Sequence, residues 1–171
     1  MEAKRRPFPT FVLWLLVFML SLLFLMVRCS GTLFVKKPPS ITVTAEGQQL
    51  NWVVEKSTWN GVSYGQQDAF YRYGLEVSLP SQAAAGEAVS ITMDGVLPDQ
   101  ASLREYALEP DGRSAYGAAT LLREYSFYFD GKTGSFPQPE PAEHPVRGYL
   151  LTCSWGENTC MYALVFQILP E

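Results

Sequence analysis

Residues 148–169 read GYLLTCSWGENTCMYALVFQIL and carry the clearest fold signal in the chain. The stretch 148–155 and the stretch 159–169 are both rich in β-branched, aromatic and other apolar residues, and a short polar segment separates them. Because successive side chains of a strand point to opposite faces, Tyr149, Leu151 and Cys153 share one face of the first stretch. The pattern predicts two antiparallel strands joined as a hairpin.

This hairpin places Cys153 opposite Cys160. A cross-strand disulfide prefers the non-hydrogen-bonded pair, in which the side chains lie closest. A two-residue loop at 156–157 makes the cysteines a hydrogen-bonded pair, whereas a four-residue loop over 155–158 makes them a non-hydrogen-bonded pair. We therefore predict the four-residue loop together with a Cys153–Cys160 disulfide, which contributes roughly 2.5 kcal/mol on the chain-entropy model. The alternative is a pair of buried, reduced cysteines.

Further strand signals extend upstream from the hairpin. Residues 41–44 alternate between apolar and polar side chains, and Asn60-Gly61 is the strongest short-range signal for a tight β-hairpin turn. Residues 88–93, 102–108 and 121–129 are further candidate strands, whereas the prolines within 136–146 indicate a loop. About seven short strands without long amphipathic helices predict an all-β, Ig-like antiparallel β-sandwich over residues 40–171.

Length and charge limit the domain organisation and the classes of partner for the whole chain. Its 171 residues allow one ordinary domain and a short extra segment, and the net charge of −4 argues against a nucleic-acid partner. Residues 1–37 contain six Lys or Arg against one Glu, a net charge of +5, whereas residues 38–171 contain seven against sixteen acidic residues, a net charge of −9. Such asymmetry is typical of a membrane-facing end followed by a separate domain.

The run FVLWLLVFMLSLLFLMV over residues 11–27 is apolar on every face. It predicts a transmembrane signal-anchor helix over residues 11–28 that contacts membrane lipid, preceded by a basic cytoplasmic segment at 1–10 and followed by a juxtamembrane linker at 29–39. The cluster Lys4-Arg5-Arg6 favours a cytoplasmic N-terminus and an extracytoplasmic C-terminal domain at the cell membrane. A lipid anchor at Cys29 is the second interpretation and a cleaved, secreted chain is the third.

Several segments together carry a family resemblance. They are the opening at Pro38-Pro39, the early hairpin at 58–61, the strand through 86–91 and the closing strands at 148–155 and 162–168. The chain resembles the small, membrane-anchored Ig-like extracytoplasmic domains of Gram-positive bacterial envelope proteins. The resemblance implies a fold and a location, and it implies no catalytic residue and no cofactor. Unlike an immunoglobulin domain, this chain places its two cysteines on neighbouring strands.

Aromatic density between residues 52 and 73 is the best functional clue in the sequence. Aromatic rings that are exposed stack on glycans or anchor a protein partner, whereas buried rings belong to the core. Core burial is the favoured interpretation, and the candidate binding residues are Trp52, Trp59, Tyr64, Phe70, Tyr71 and Tyr73. The sequence thus favours a binding or interaction module of the cell envelope, with a protein or glycan as its partner, over an enzyme.

Two other classes of function remain as alternatives. One is a small envelope enzyme, because residues 150–153 partly match the segment around the sortase nucleophile. A thiol nucleophile needs a nearby imidazole or cation, yet His144 lies only nine positions upstream and no Arg follows Cys153. The other alternative is a structural subunit of an envelope complex. No motif for a metal site is present.

Overall fold

The computed structural model describes residues 14–22, 37–65, 69–77, 79–109, 120–137 and 145–169. The chain forms two compact units, Met1–Lys36 and Lys37–Glu171. In the first unit, residues 14–22 form a helix, α1, whose large apolar side chains are exposed. No helix within the described ranges has the length and apolar character needed to cross a bilayer. Cys29, His144, half of the predicted anchor and most of the predicted linker lie outside these ranges.

Over its described residues the second unit consists of strands and one short helix, which confirms the all-β prediction. In chain order the strands are β1 (Ser40–Ala45), β2 (Gln48–Gln49), β3 (Trp52–Trp59), β4 (Val62–Gly65), β5 (Ser81–Ala84), β6 (Ala88–Asp94), β7 (Gln100–Ala107), β8 (Thr120–Ser126), β9 (Thr133–Pro137), β10 (Val146–Trp155) and β11 (Asn158–Leu169). The helix α2 (Tyr71–Glu76) lies between β4 and β5.

Two sheets build the domain. The smaller sheet has the strand order β2-β1-β6-β9, and the larger has β4-β3-β11-β10-β7-β8, with β5 joining β11 as a parallel neighbour. Aromatic rings from the two sheets pack against each other in the space between the sheets. The centroid of the Phe136 ring on β9 lies 4.9 Å from that of the Tyr149 ring on β10. The contact explains why Tyr149, Leu151 and Cys153 are buried on one face of β10.

The opposite face of the larger sheet is covered by α2. Val146 and Leu150 of β10 pack there with Phe70 and Tyr73, so β10 is buried on both faces. Gly148 makes this packing possible, because a Cβ at this position would lie 2.5 Å from Cζ of Phe70. The near-continuous apolar pattern of residues 146–151 therefore reflects a central strand with two covered faces.

Two hairpin turns have the same length and differ in how well the sequence predicted them. Asn60 (φ 51) and Gly61 (φ 77) form the expected two-residue turn between β3 and β4, with Trp59 paired to Val62. At the end of β10 the predicted four-residue loop is wrong, because Trp155 pairs with Asn158 and only Gly156 and Glu157 lie in the turn. The left-handed Gly156 (φ 58) allows this tight turn.

A bulge in β3 changes which of its side chains face α2. Tyr162 pairs with Val54 and Met161 pairs with Lys56, so Glu55 has no directly opposite residue on β11. The extra residue interrupts the strict alternation of faces along β3. As a result the Glu55 carboxylate is buried and lies next to α2.

Candidate functional site

The six aromatic residues predicted as binding candidates divide between the core and the surface. Trp59, Phe70 and Tyr73 are buried, and Trp52 is half-buried with its ring 5.9 Å from the Tyr162 ring. The structure thus assigns these four largely to packing. Tyr64 and Tyr71 are 52% and 45% exposed, so they are the members of the set that can contact a partner.

The helix α2 brings the two exposed tyrosines together with a cation. The Arg72 guanidinium lies over the Tyr64 ring, 4.4 Å from its centroid, and it also pairs with Glu76 one helical turn away. Leu75 follows Tyr71 at the i+4 spacing, on the same helix face, and is 69% exposed. We define Tyr64, Tyr71, Arg72 and Leu75 as the α2 surface.

The buried Glu55 carboxylate restrains α2 by hydrogen bonds to its first turn. Its Oε1 accepts a hydrogen bond from the Arg72 backbone N–H at 2.9 Å, and its Oε2 accepts one from the Tyr73 N–H at 3.3 Å. These donors belong to the first turn of α2, which has no side-chain cap of its own on Phe70. Burial raises the pKa of Glu55 above its usual value, and the hydrogen bonds from α2 oppose that rise.

Two further contacts restrict the segment that carries α2. The Tyr73 hydroxyl donates to the backbone oxygen of Val165 on β11 at 3.3 Å. Gly65, with φ 101, ends β4 directly against β3, because a Cβ at this position would clash with the Glu55 backbone oxygen. The α2 surface is therefore presented by well-restrained backbone.

The two cysteines of the predicted disulfide lie inside the domain. Cys153 and Cys160 face each other across β10 and β11, which confirms the predicted register. The predicted disulfide is not formed: within the described part of the chain both thiols are free. The two-residue turn makes them a hydrogen-bonded pair, the less suitable cross-strand position for a disulfide.

Burial raises the pKa of each of these two thiols to about 12. A nucleophilic cysteine needs the opposite environment, one that stabilises the thiolate at neutral pH. Cys153 also has its side chain fully buried between the sheets, at 0% exposure. Its surroundings are therefore unsuited to the sortase-like chemistry considered from the sequence.

A buried polar cluster lies between the sheets, and no sequence signal pointed to it. Nε of Arg147 lies 3.8 Å from Oε1 of Glu105, and the Tyr125 hydroxyl donates to Oε2 of the same carboxylate at 2.8 Å. Tyr149 is next to this pair, and within the described residues its hydroxyl and Nε of Arg147 have no hydrogen-bond partner. Unpartnered buried polar atoms are rare and costly, so this cluster is a weak point of the core.

Metal-binding side chains are dispersed over the described ranges, where no group of three or more His, Cys, Asp or Glu residues comes together. Two acidic residues near strand ends have hydrogen-bond partners within the protein. Asp94 accepts from the Ser40 hydroxyl and Asp99 accepts from the Gly156 N–H. The Asp94 carboxylate thus joins the ends of β1 and β6, and the Asp99 carboxylate binds the turn at Gly156.

Comparison with known proteins identifies no family for this chain. No family model matches it, and no curated protein is similar in sequence. Among solved structures, the crystal structure of a cellulose-active polysaccharide monooxygenase from M. thermophila is similar at 10% identity, with a TM-score of 0.40 over 77% of this chain and 78% of that chain. At that distance the similarity carries no argument about function, and the local geometry has to provide one.

Proposed function

We propose that this protein is a single-pass membrane protein whose Ig-like β-sandwich binds a partner in the cell envelope, outside the cytoplasmic membrane. The apolar run at 11–27 and the basic cluster at 4–6 support the anchor and its orientation. The α2 surface is the observation that carries the binding function. Three of its four residues present apolar or aromatic groups to solvent, on backbone restrained by the buried Glu55.

The chemistry of the α2 surface favours a protein partner over a glycan. Leu75 is aliphatic and offers no ring for stacking on a sugar, and the face of the Tyr64 ring is occupied by Arg72. Exposed tyrosine side chains beside a partly buried arginine are typical of the centre of a protein–protein interface. Because Arg72 is held by both Tyr64 and Glu76, little side-chain freedom is lost on binding.

Site-specific photocrosslinking in intact cells tests the binding function. A photoreactive amino acid at position 71 is expected to give a discrete adduct with one protein, and Leu75→Ser is expected to abolish that adduct. The matched control is position 121 on β8, where Leu121 is 49% exposed but distant in sequence from α2. Equal labelling at both positions, or no adduct at position 71, would rule out the α2 surface as the binding site.

The membrane anchor and the orientation of the domain are tested separately. The full-length chain is expected to stay in the membrane fraction after alkaline carbonate treatment, and its β-sandwich is expected to be digested by protease added outside spheroplasts. Recovery of the chain in the carbonate supernatant would contradict the anchor. Protection of the domain until the cells are lysed would contradict the orientation.

A further inference from the structure

The chain enters the β-sandwich at one defined end. The Pro39 backbone oxygen accepts a hydrogen bond from the Tyr162 hydroxyl at 2.6 Å, and the next residue, Ser40, pairs with Asp94 at the end of β6. Gly95 follows directly, and a Cβ on it would lie 3.7 Å from Cβ of Pro39. We call this the entry end of the sandwich, and it includes the loop 95–99 and the segment 127–132.

The connecting segments of the entry end carry four exposed apolar side chains. Tyr128 is 80% exposed, Val96 is 56% exposed and Leu97 is 37% exposed. Val62 is also at this end, directly after the Asn60-Gly61 turn, and it is 70% exposed. Scattered single exposed residues are ordinary, but a group on the connecting segments of one end of a domain is typical of an interaction surface.

The backbone that carries these side chains is held by several hydrogen bonds. The Val96 oxygen accepts from Nε1 of Trp155 at 3.0 Å, and the Asp99 N–H donates to the Ser154 oxygen at 2.8 Å. On the other segment, the Phe127 N–H donates to the Ala101 oxygen at 3.2 Å. A cleft of about 430 Å³, lined by residues 97–101 and 126–129, lies between the two segments. The exposed side chains are thus presented in a fixed arrangement.

The chain length before the domain limits how far the entry end can lie from the membrane. If residues 11–27 span the bilayer, only residues 28–39 separate the span from β1. Twelve residues reach at most about 40 Å when fully extended. Such a tether gives the entry end a high effective concentration at the lipid surface, so that even weak insertion of apolar side chains becomes significant.

We propose that the entry end docks on the outer surface of the bilayer, with Val62, Val96, Leu97 and Tyr128 entering the interface between the headgroups and the acyl chains. This inference rests on the proposed membrane anchor. Tyrosine is enriched at this depth because its ring is apolar and its hydroxyl remains hydrated. Valine and leucine contribute by removing apolar area from water.

Charge is not the main attraction in this docking. The entry end has the acidic residues Asp94, Asp99 and Asp130, with Glu157 in the adjoining turn, as well as the basic residues Lys37 and Lys132. The first two carboxylates accept hydrogen bonds from Ser40 and Gly156. Docking therefore depends on apolar contact, and we expect it to persist at high salt, where surface electrostatic attraction is screened.

Depth-dependent quenching in vesicles tests the proposal. The full-length chain, with Cys29→Ser to remove a competing thiol, is reconstituted in vesicles of phosphatidylcholine and phosphatidylglycerol. An environment-sensitive fluorophore is attached through Tyr128→Cys or, as a control, through Leu75→Cys on α2. Lipids spin-labelled near the headgroup are expected to quench the label at position 128 at least about twofold more than the label at position 75.

A second pair of variants separates apolar docking from mere proximity. Replacing Val96 and Leu97 together by Ser is expected to reduce quenching at position 128 by about half, because the neighbouring insertion is lost. Replacing the exposed Leu121 and Leu122 of β8 by Ser is expected to leave it unchanged. Equal quenching at positions 128 and 75, in a chain that floats with the vesicles, would overturn the docking and leave the anchor intact. A chain that carbonate removes from the vesicles would overturn the anchor and, with it, the docking.

Discussion

Replacing Gly148 by Ala is expected to destabilise the domain and to disturb the α2 surface together. The new methyl group would lie 2.5 Å from Cζ of Phe70 and 2.6 Å from Cδ1 of Leu108, well inside ordinary contact distance. The Phe70 ring cannot move away easily, because it is 2% exposed and its centroid lies 5.5 Å from that of Tyr106. Overpacking of this kind costs about 1–3 kcal/mol of unfolding free energy.

Since Phe70 immediately precedes α2 and has a left-handed backbone (φ 64), displacement of its ring also shifts the start of the helix. We therefore expect Gly148→Ala to weaken photocrosslinking from position 71 as well. The matched control is Gly74→Ala within α2, where the added methyl group meets no atom within 4 Å apart from its chain neighbours and the helix backbone. Alanine favours helix over glycine by about 1 kcal/mol, so the control is expected to be neutral or stabilising.

The measurement is denaturant-induced unfolding of the full-length chain in mild detergent, followed by tryptophan fluorescence. Trp59 and Trp155 are buried with their ring centroids 5.2 Å apart, and they report on the second unit. If Gly148→Ala were as stable as the original chain, the close packing of Phe70 on β10 would be refuted. If Gly74→Ala were the less stable of the two variants, the assignment of α2 would be contradicted.

Three further predictions follow from the buried polar groups. Tyr149→Phe removes a buried hydroxyl that has no hydrogen-bond partner among the described residues, so it is expected to raise the unfolding free energy by about 1 kcal/mol. A loss of stability in this variant would show that the hydroxyl does form a hydrogen bond. The pKa of Glu55 is higher in the folded chain than its ordinary value of 4.5. The contribution of Glu55 to the unfolding free energy is therefore fully present below pH 4.5 and is lost as the pH rises through the folded pKa. In unfolding measured as a function of pH, Glu55→Gln is expected to flatten this decrease in the unfolding free energy. Each of the two thiols has a pKa near 12 instead of 9.0. At pH 8, Cys153 and Cys160 are therefore expected to react with iodoacetamide about a thousandfold more slowly in the folded chain than in the denatured chain, as measured by mass spectrometry. Denatured, unreduced protein that stays unlabelled at both positions would instead reveal a disulfide.

Local sequence patterns predicted most of the strands and two of the hairpins, but not β2, β5 or β9, the last of which extends into the proline-containing segment expected to be a loop. The alternation at residues 41–44, the Asn60-Gly61 turn and the apolar closing stretches each depend on neighbouring residues, and each predicted element is present in the structure. The register that opposes Cys153 to Cys160 could also be predicted, because a symmetric loop of either even length preserves it. The loop length itself could not, since Trp155 and Asn158 are compatible with both a turn and a strand.

The candidate sites depended on contacts between distant segments. Sequence placed six aromatic residues in one group, but the burial of four of them is decided by packing against β10 and β11, which come much later in the chain. The Glu105–Arg147 cluster is likewise formed by two strands that are adjacent only in the folded sheet. Periodicity along the chain reports the secondary structure of each segment, whereas burial and the exposed surfaces are determined by which segments pack against one another.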